Sequence, residues 1–264
     1  MDKNEYISKF DSLILSPPIR KFYGQKEFFN VGYWLTDTQN QQLACFNLIE
    51  KLLDFIPEKK GNILDVGCGL GATTSHLLNY YSSTDVVGIN ISSQQIERSI
   101  VNAPECKFIC MDAVQMEFED ELFDNIICVE AAFYFDPREK FIKEAMRVLK
   151  PGGHLILSDI IFENIQHFGD WIVPQKNIVK DKDIEEYKNI YKQAGFQFLD
   201  FVDVTEKCWL THYRYLKSSI EEQFQAGEID EQTYQLNMDG IDGLLNSSSI
   251  AYLLVSTKKP VKVI

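Results

Sequence analysis

The sequence predicts an α/β fold, a mostly parallel sheet wrapped by helices on both faces. Two observations carry this. From about residue 60 to 160, short apolar runs alternate with segments of helical period, and the first run, "NILDVG", passes straight into a loop with Gly67, Gly69 and Gly71 ahead of a helix. Strand and helix in strict alternation leave parallel pairing as the economical arrangement.

The runs "NILDVG", "DVVGINI", "KFICMDA", "FDNIICVE" and "HLILSDI" are the expected strands. "TTSHLLNYY", "SSQQIERSIVN" and "PREKFIKEAMRVLK" are the helices between them. The helix from Asp136 to Leu149 has its own punctuation, with Asp136 as N-cap, Pro137 in the first turn and "KPGG" as the stop. Phe141, Ala145 and Val148 give it an apolar stripe toward the core. Ahead of the sheet, Gln42 to Ile56 carries Cys45, Ile49, Leu52, Leu53 and Ile56 on one face and reads as a helix lying on the sheet. Beyond residue 160 come a helix "DIEEYKNIYKQAG", a strand "FQFLDFVDV" and a final strand "SIAYLLVSTKK". Thr205 to Ser248, between the last two strands, holds two helices rich in Tyr and Trp. An insertion of that length reads as a cap or binding element.

No Pro/Gly/Ser-rich linker divides the 264 residues, so one domain with additions is expected. No apolar run approaches the roughly 20 residues that span a bilayer. The opening "MDKNEYISKF" lacks the basic and apolar regions of a secretory signal, so a cytoplasmic location and no membrane partner are expected. Cys45, Cys68, Cys106, Cys110, Cys128 and Cys208 show no CxxC spacing and the histidines no HxxxH or HxH pair, so reduced thiols and no metal site are expected. With 26 basic and 39 acidic side chains the net charge is −13, which repels a polyanion at long range and disfavours a nucleic-acid substrate.

Glycine admits left-handed backbone and close approach of a ligand, so a flat, polar ligand is expected across the carboxyl end of the first strand. The order D-V-G-C-G-L-G departs from the GxGxxG of a dinucleotide site. A tight strand-to-helix turn also selects glycine, so the loop alone leaves the ligand open.

"LDVGCGLG", followed by "VVGINIS", "MDA", "FDNIICVE" and "RVLKPGGHLILSD" in that order, resembles the class I S-adenosylmethionine-dependent methyltransferases. Within them it is similar to the small-molecule group that methylates natural products. The resemblance covers about residues 30 to 160. It implies a Rossmann-like seven-stranded, mostly parallel sheet with helices on both faces, an antiparallel last strand, and a helical lid from the N-terminus and the insertion before that strand. The chain then divides, within a single methyltransferase domain over 1–264, into a lid segment (1–36), a cofactor-binding core (37–204), a helical cap (205–248) and a last strand with tail (249–264).

The resemblance implies S-adenosyl-L-methionine as cofactor. Asp65, Gly67, Cys68 and Gly69 would hold its methionine part, although Asp65 also suits a role that only caps the turn. At the end of the second strand the family has an acid on the ribose; this sequence has Asn90, with Gln95 to help it, and Ile91 would pack on adenine or in the core. Asp112 would meet the adenine amino group and Ala113 offer its backbone amide, with simple turn capping as the alternative for Asp112. Glu130 follows the fourth strand beside the expected methyl group. Tyr33, in "NVGYW", would cover the methionine end or, with Trp34, anchor the amino-terminal segment.

Methyl transfer to a hydroxyl needs an aligned nucleophile, exclusion of water and a group that takes the proton. Many relatives have a histidine where this chain has Tyr134, in "EAAFYFDP". Candidate bases are Glu130, Asp159 and, in the next loop, His167; each also suits a structural role. Tyr6, Tyr23, Phe133, Tyr134, Phe135 and Trp209 are candidates for an aromatic pocket wall, with plain core as the alternative. The expected reaction is O-methylation of a small, partly apolar natural product such as a polyketide or alkaloid. N-methylation, or C-methylation at an allylic carbon of a prenyl diphosphate held by Arg214 and Lys217, is the alternative, and an inactive scaffold of the same fold is a third. A homodimer through the aromatic segments is left open.

Overall fold

The fold is that of a computed structural model, which describes residues 3–162, 184–246 and 250–261. The alternating apolar runs pair as expected. Strands β1 (Ile63–Val66), β2 (Val86–Asn90), β3 (Lys107–Cys110), β4 (Phe123–Val129), β5 (Leu149–Phe162), β6 (Gln197–Asp203) and β7 (Ile250–Lys258) form one sheet in the order β3-β2-β1-β4-β5-β7-β6. Pairing is parallel from β3 through β5, and β7 runs antiparallel to both β5 and β6. Strand order reverses between β1 and β4. In open α/β sheets that switch point, at the carboxyl ends of the strands, is where ligands bind.

Successive strand residues point to opposite faces, which yields two cores. On one face Ile63, Ile127, Ile156, Tyr252 and Leu254 pack with α3 (Gln41–Leu53) and with the amino-terminal segment. On the other, Leu64, Ile126, Leu155 and Leu157 pack with α6 (Arg138–Val148) and α7 (Ile184–Ala194). The expected stripe of α6, Phe141, Ala145 and Val148, is fully buried. Burial of Phe141 and of Val148 contributes about 1.5–3 kcal/mol each.

Helix ends follow local chemistry. Asn40 caps α3 by accepting from the Leu43 N–H, so that helix starts at Gln41, one residue ahead of the stripe read from sequence. The expected Asp136 cap of α6 is corrected: the N-cap is Pro137, extended at φ −84 and ψ 146, with no side-chain cap bond. Its extended ψ starts the helix at Arg138 and leaves Asp136 one position outside the turn.

The amino-terminal segment forms α1 (Lys3–Ile14) and α2 (Pro17–Tyr23). Between β6 and β7 a π turn (Glu206–Leu210) runs into α8 (Thr211–Gln225), followed by α9 (Glu231–Leu245), capped by Asp230 on the Thr233 N–H. Helix α4 (Ala72–Leu77) follows β1, and α5 (Ser93–Asn102) follows β2.

Candidate active site

The loop after β1 uses its glycines for different reasons. Gly67, at φ +73, is pressed so close that a Cβ would sit 2.4 Å from the Ala131 Cβ. Gly71, the N-cap of α4 at φ +84, abuts Ser99 of α5, whose backbone Cα would lie 3.0 Å from a Cβ. Gly69 also has left-handed backbone, at φ +54, yet a Cβ there would meet nothing within 4 Å among the described residues. Packing accounts for Gly67 and Gly71. Gly69 is left-handed beside open space, the form of a surface that a ligand approaches closely. Gly69→Ala is expected to cost about 1–2 kcal/mol of left-handed strain and to weaken S-adenosylhomocysteine binding. Gly67→Ala should cost more because Ala131 must also move. Urea denaturation and calorimetric titration of both variants check the contrast.

Asp65 is buried and accepts from the Thr74 hydroxyl at 2.6 Å. The capping role is therefore present, and burial pushes its carboxyl up to about 7 against the pull of Thr74. Cys68 lies buried beside it, and burial raises its thiol. The Gly67 and Cys68 N–H groups both donate to the Ile89 carbonyl, at 2.9 and 3.0 Å, tying the loop to the end of β2.

At that end Asn90 and Gln95 are joined: Asn90 Nδ2 donates to Gln95 Oε1 at 2.9 Å, and Asn90 Oδ1 accepts from the Ser92 N–H at 3.0 Å. Ile91 remains 37% exposed, an apolar side chain at a strand end open to a planar partner. After β3, Asp112 Oδ1 accepts from the Val114 N–H at 3.0 Å, which is the turn-capping role, and Ala113 is buried next to it.

Glu130, just past β4, adopts φ +48, a conformation that costs a non-glycine residue about 1–3 kcal/mol and gathers at functional sites. Its N–H donates to Ser158 Oγ at 3.0 Å. Its Oε1 accepts from the Val31 N–H at 2.7 Å and from the Tyr252 hydroxyl at 2.6 Å, while Oε2 has no hydrogen bond among the described residues. Tyr23, Tyr134 and Tyr213 lie close enough for its charge to raise their hydroxyls. Burial raises the Glu130 carboxyl to about 7, with the Tyr252 and Val31 bonds opposing. Asp65 and Glu130 both have folded pKa values above their unfolded ones. The stability they contribute is complete below about pH 4 and is lost as pH rises through 7.

Rings of the amino-terminal segment gather on Tyr134 and Tyr23. Tyr6 and Phe10 of α1 lie 6.1 and 5.3 Å from the Tyr134 ring, and Phe29 lies 5.6 Å from Phe10 and 5.1 Å from Tyr23. Phe133 is buried against Tyr134 with ring centroids 4.1 Å apart.

Other expected site residues stand elsewhere. Asp159 has the parity of Leu155, Leu157 and Ile161 on β5, so it projects to the face opposite Ser158 and Tyr252. There it is fully buried, 3.2 Å from the Arg138 guanidinium and accepting from the Tyr187 hydroxyl at 2.6 Å. Arg138 also donates to the Ala132 and Ile160 carbonyls. This pair braces the turn Ala132–Tyr134, and Asp159 lies on the opposite face of the sheet from Tyr252, the partner of Glu130. His167 lies outside the described residues. Tyr33 is buried, with its N–H on the Ala44 carbonyl and its hydroxyl 3.2 Å from Lys207 Nζ, so the anchoring role is met. Trp209 is a core residue: its ring packs 4.7 Å from Tyr213 and its Nε1 donates to the Leu244 carbonyl at 3.5 Å, fixing the π turn to α9. Arg214 pairs with Glu206 and Lys217 with Asp242, so both cations proposed for a diphosphate are already partnered.

Asp11, Ser92, Tyr213, Tyr252 and the Val31 N–H bond to or lie beside the candidate residues Gln95 and Glu130 and carried no motif. For Tyr252 a signal existed, since a polar tip in the apolar run "AYLLV" calls for a buried partner. For Asp11 none did.

Among the described residues, no helix is long and apolar enough to cross a membrane, and no cluster of His, Cys, Asp and Glu has the form of a metal site. A family model described as a methyltransferase domain matches residues 64–157, which run from β1 into β5. The 27-O-demethylrifamycin SV methyltransferase of Amycolatopsis mediterranei is 25% identical over 250 residues, 87% of this chain and 89% of that protein. The erythromycin 3''-O-methyltransferase of Saccharopolyspora erythraea is 26% identical over 262 residues, 88% of this chain and 84% of that protein. The structure of the cyclopropane synthase MmaA2 from Mycobacterium tuberculosis is 18% identical and has a TM-score of 0.79 over 98% of this chain and 99% of that one, a likeness of fold.

Proposed function

We propose, for a chain that belongs to the class I S-adenosylmethionine-dependent methyltransferases, transfer of the cofactor's methyl group to an oxygen of a small, partly apolar metabolite. The observation that carries this is Glu130: a carboxylate at the β1/β4 switch point, ringed by tyrosines, with one oxygen fixed and the other without a hydrogen bond among the described residues. A group whose pKa lies near 7 is suited to take a hydroxyl proton.

Bound S-adenosylmethionine supplies an electrophilic methyl on a sulfonium. The residues that would hold it are the loop Gly67–Gly69 with Asp65 at the methionine part, Asn90 and Gln95 at the ribose, and Ile91, Asp112 and Ala113 at the adenine. The open side of Gly69 and the exposed Ile91 fit that assignment. Tyr6, Phe10, Tyr23 and Tyr134 offer the acceptor an apolar, water-excluding wall, and Glu130 Oε2 receives its proton as the oxygen is methylated. The O-methyltransferases among its relatives support this acceptor. With Arg214 and Lys217 both paired to acids, a prenyl diphosphate is the weaker reading.

The strongly acidic balance supports a metabolite rather than a nucleic acid as partner, and we place the enzyme in the cytoplasm. The test is transfer from methyl-labelled S-adenosylmethionine into a small-molecule extract of the source cell, with the attachment atom read by NMR. Label on oxygen is expected; label on nitrogen or carbon overturns the acceptor.

A further inference from the structure

The second strand ends in an amide, Asn90, and a buried carboxylate reaches the same place from a distant part of the chain. Asp11, on α1, is 3% exposed. One of its oxygens accepts from Ser92 Oγ and the other from Gln95 Nε2, each at 2.7 Å. No Lys or Arg bridges to it among the described residues, so two neutral donors carry the desolvation of this acid. Such a group is costly to bury, and removing one donor leaves it worse off.

What the acid does follows from donor and acceptor chemistry. A carboxylate only accepts, so Gln95 must turn its amide NH₂ toward Asp11 and its Oε1 toward Asn90. Asn90 must then donate to Gln95, which leaves its Oδ1 on the Ser92 N–H, the arrangement observed. Ser92 meanwhile accepts from the Gln95 N–H at 3.2 Å and caps α5. One carboxylate from α1 thus sets the direction of two amides at the end of β2. The same helix brings Tyr6 and Phe10 onto Tyr134, so its docking is read at both ends of the site.

We propose that Asp11 is a positioning residue for the ribose of the cofactor, fixing the Gln95 and Asn90 amides from a helix that must dock for the site to be complete. The proposal rests on the methyltransferase reading above. It makes nucleoside binding and the docking of α1 mutually dependent.

The test is calorimetric titration of wild type, Asp11→Asn and the exposed control Ser12→Ala with S-adenosylhomocysteine and with its analogue lacking the ribose 2′-hydroxyl. Asp11→Asn is expected to weaken S-adenosylhomocysteine by about tenfold, the analogue by much less, and Ser12→Ala to change neither. Equal weakening of both ligands, or none of either, overturns the proposal. Wild type that binds neither ligand overturns the cofactor reading itself, a separate result. Should Asp11→Asn not fold, hydrogen exchange on wild type decides. Added protection of residues 3–14 by S-adenosylhomocysteine supports the coupling, and unchanged exchange there overturns it.

Discussion

Glu130→Gln is expected to lower the rate of methyl transfer by about two to four orders of magnitude, the range of a lost general base. The amide preserves the oxygen that accepts from the Val31 N–H and Tyr252, so the loop keeps its geometry while the proton acceptor goes. Cofactor affinity should fall far less than the rate, a split that single-turnover kinetics and titration with S-adenosylhomocysteine measure together. The same substitution should change stability in a pH-dependent way. Above pH 7 the wild type holds a buried charge that the variant lacks, so the variant gains relative to wild type there and not at pH 4. An unchanged rate sinks the assignment of Glu130 as base.

Arg138→Met has the largest expected effect on stability, about 3–5 kcal/mol, because it leaves Asp159 charged, buried and without its cation. Arg138 also holds the Ala132 and Ile160 carbonyls, so the turn that carries Phe133 and Tyr134 loosens with it. Adding Asp159→Asn to Arg138→Met should recover part of the loss, since the two side chains interact directly. Urea denaturation of the single and double variants measures this. A loss under about 1 kcal/mol, or strict additivity, contradicts a coupled pair. Asp159→Asn alone should shift stability and leave the pH dependence of turnover in place, which separates a brace from a base.

The sheet was legible in the sequence because its signals are local. An apolar run followed by helical period is read within a dozen residues, and the stripe Phe141, Ala145 and Val148 acts at the positions where it stands. The glycine loop was legible as a strand-to-helix turn, although sequence gave no way to separate Gly69, with no described atom near its Cβ position, from Gly67 and Gly71, which are demanded by Ala131 and Ser99. Asp159 shows the limit from the other side. It lies near the carboxyl end of the right strand, yet one step of parity turns it toward Arg138 and Tyr187 instead of Glu130. Long-range partners were invisible for the same reason. Asp11 meets Gln95 across 84 positions and Tyr252 meets Glu130 across 122, and no pattern in the chain records those distances.

The central claim is that Glu130 takes the acceptor's proton, and the pH dependence of methyl transfer tests it most directly once the labelled acceptor is in hand. Wild type should rise with pH to a plateau through an inflection near 7, the value to which burial raises this carboxyl, and Glu130→Gln should be slow and flat through that range. The same inflection in both enzymes contradicts the account.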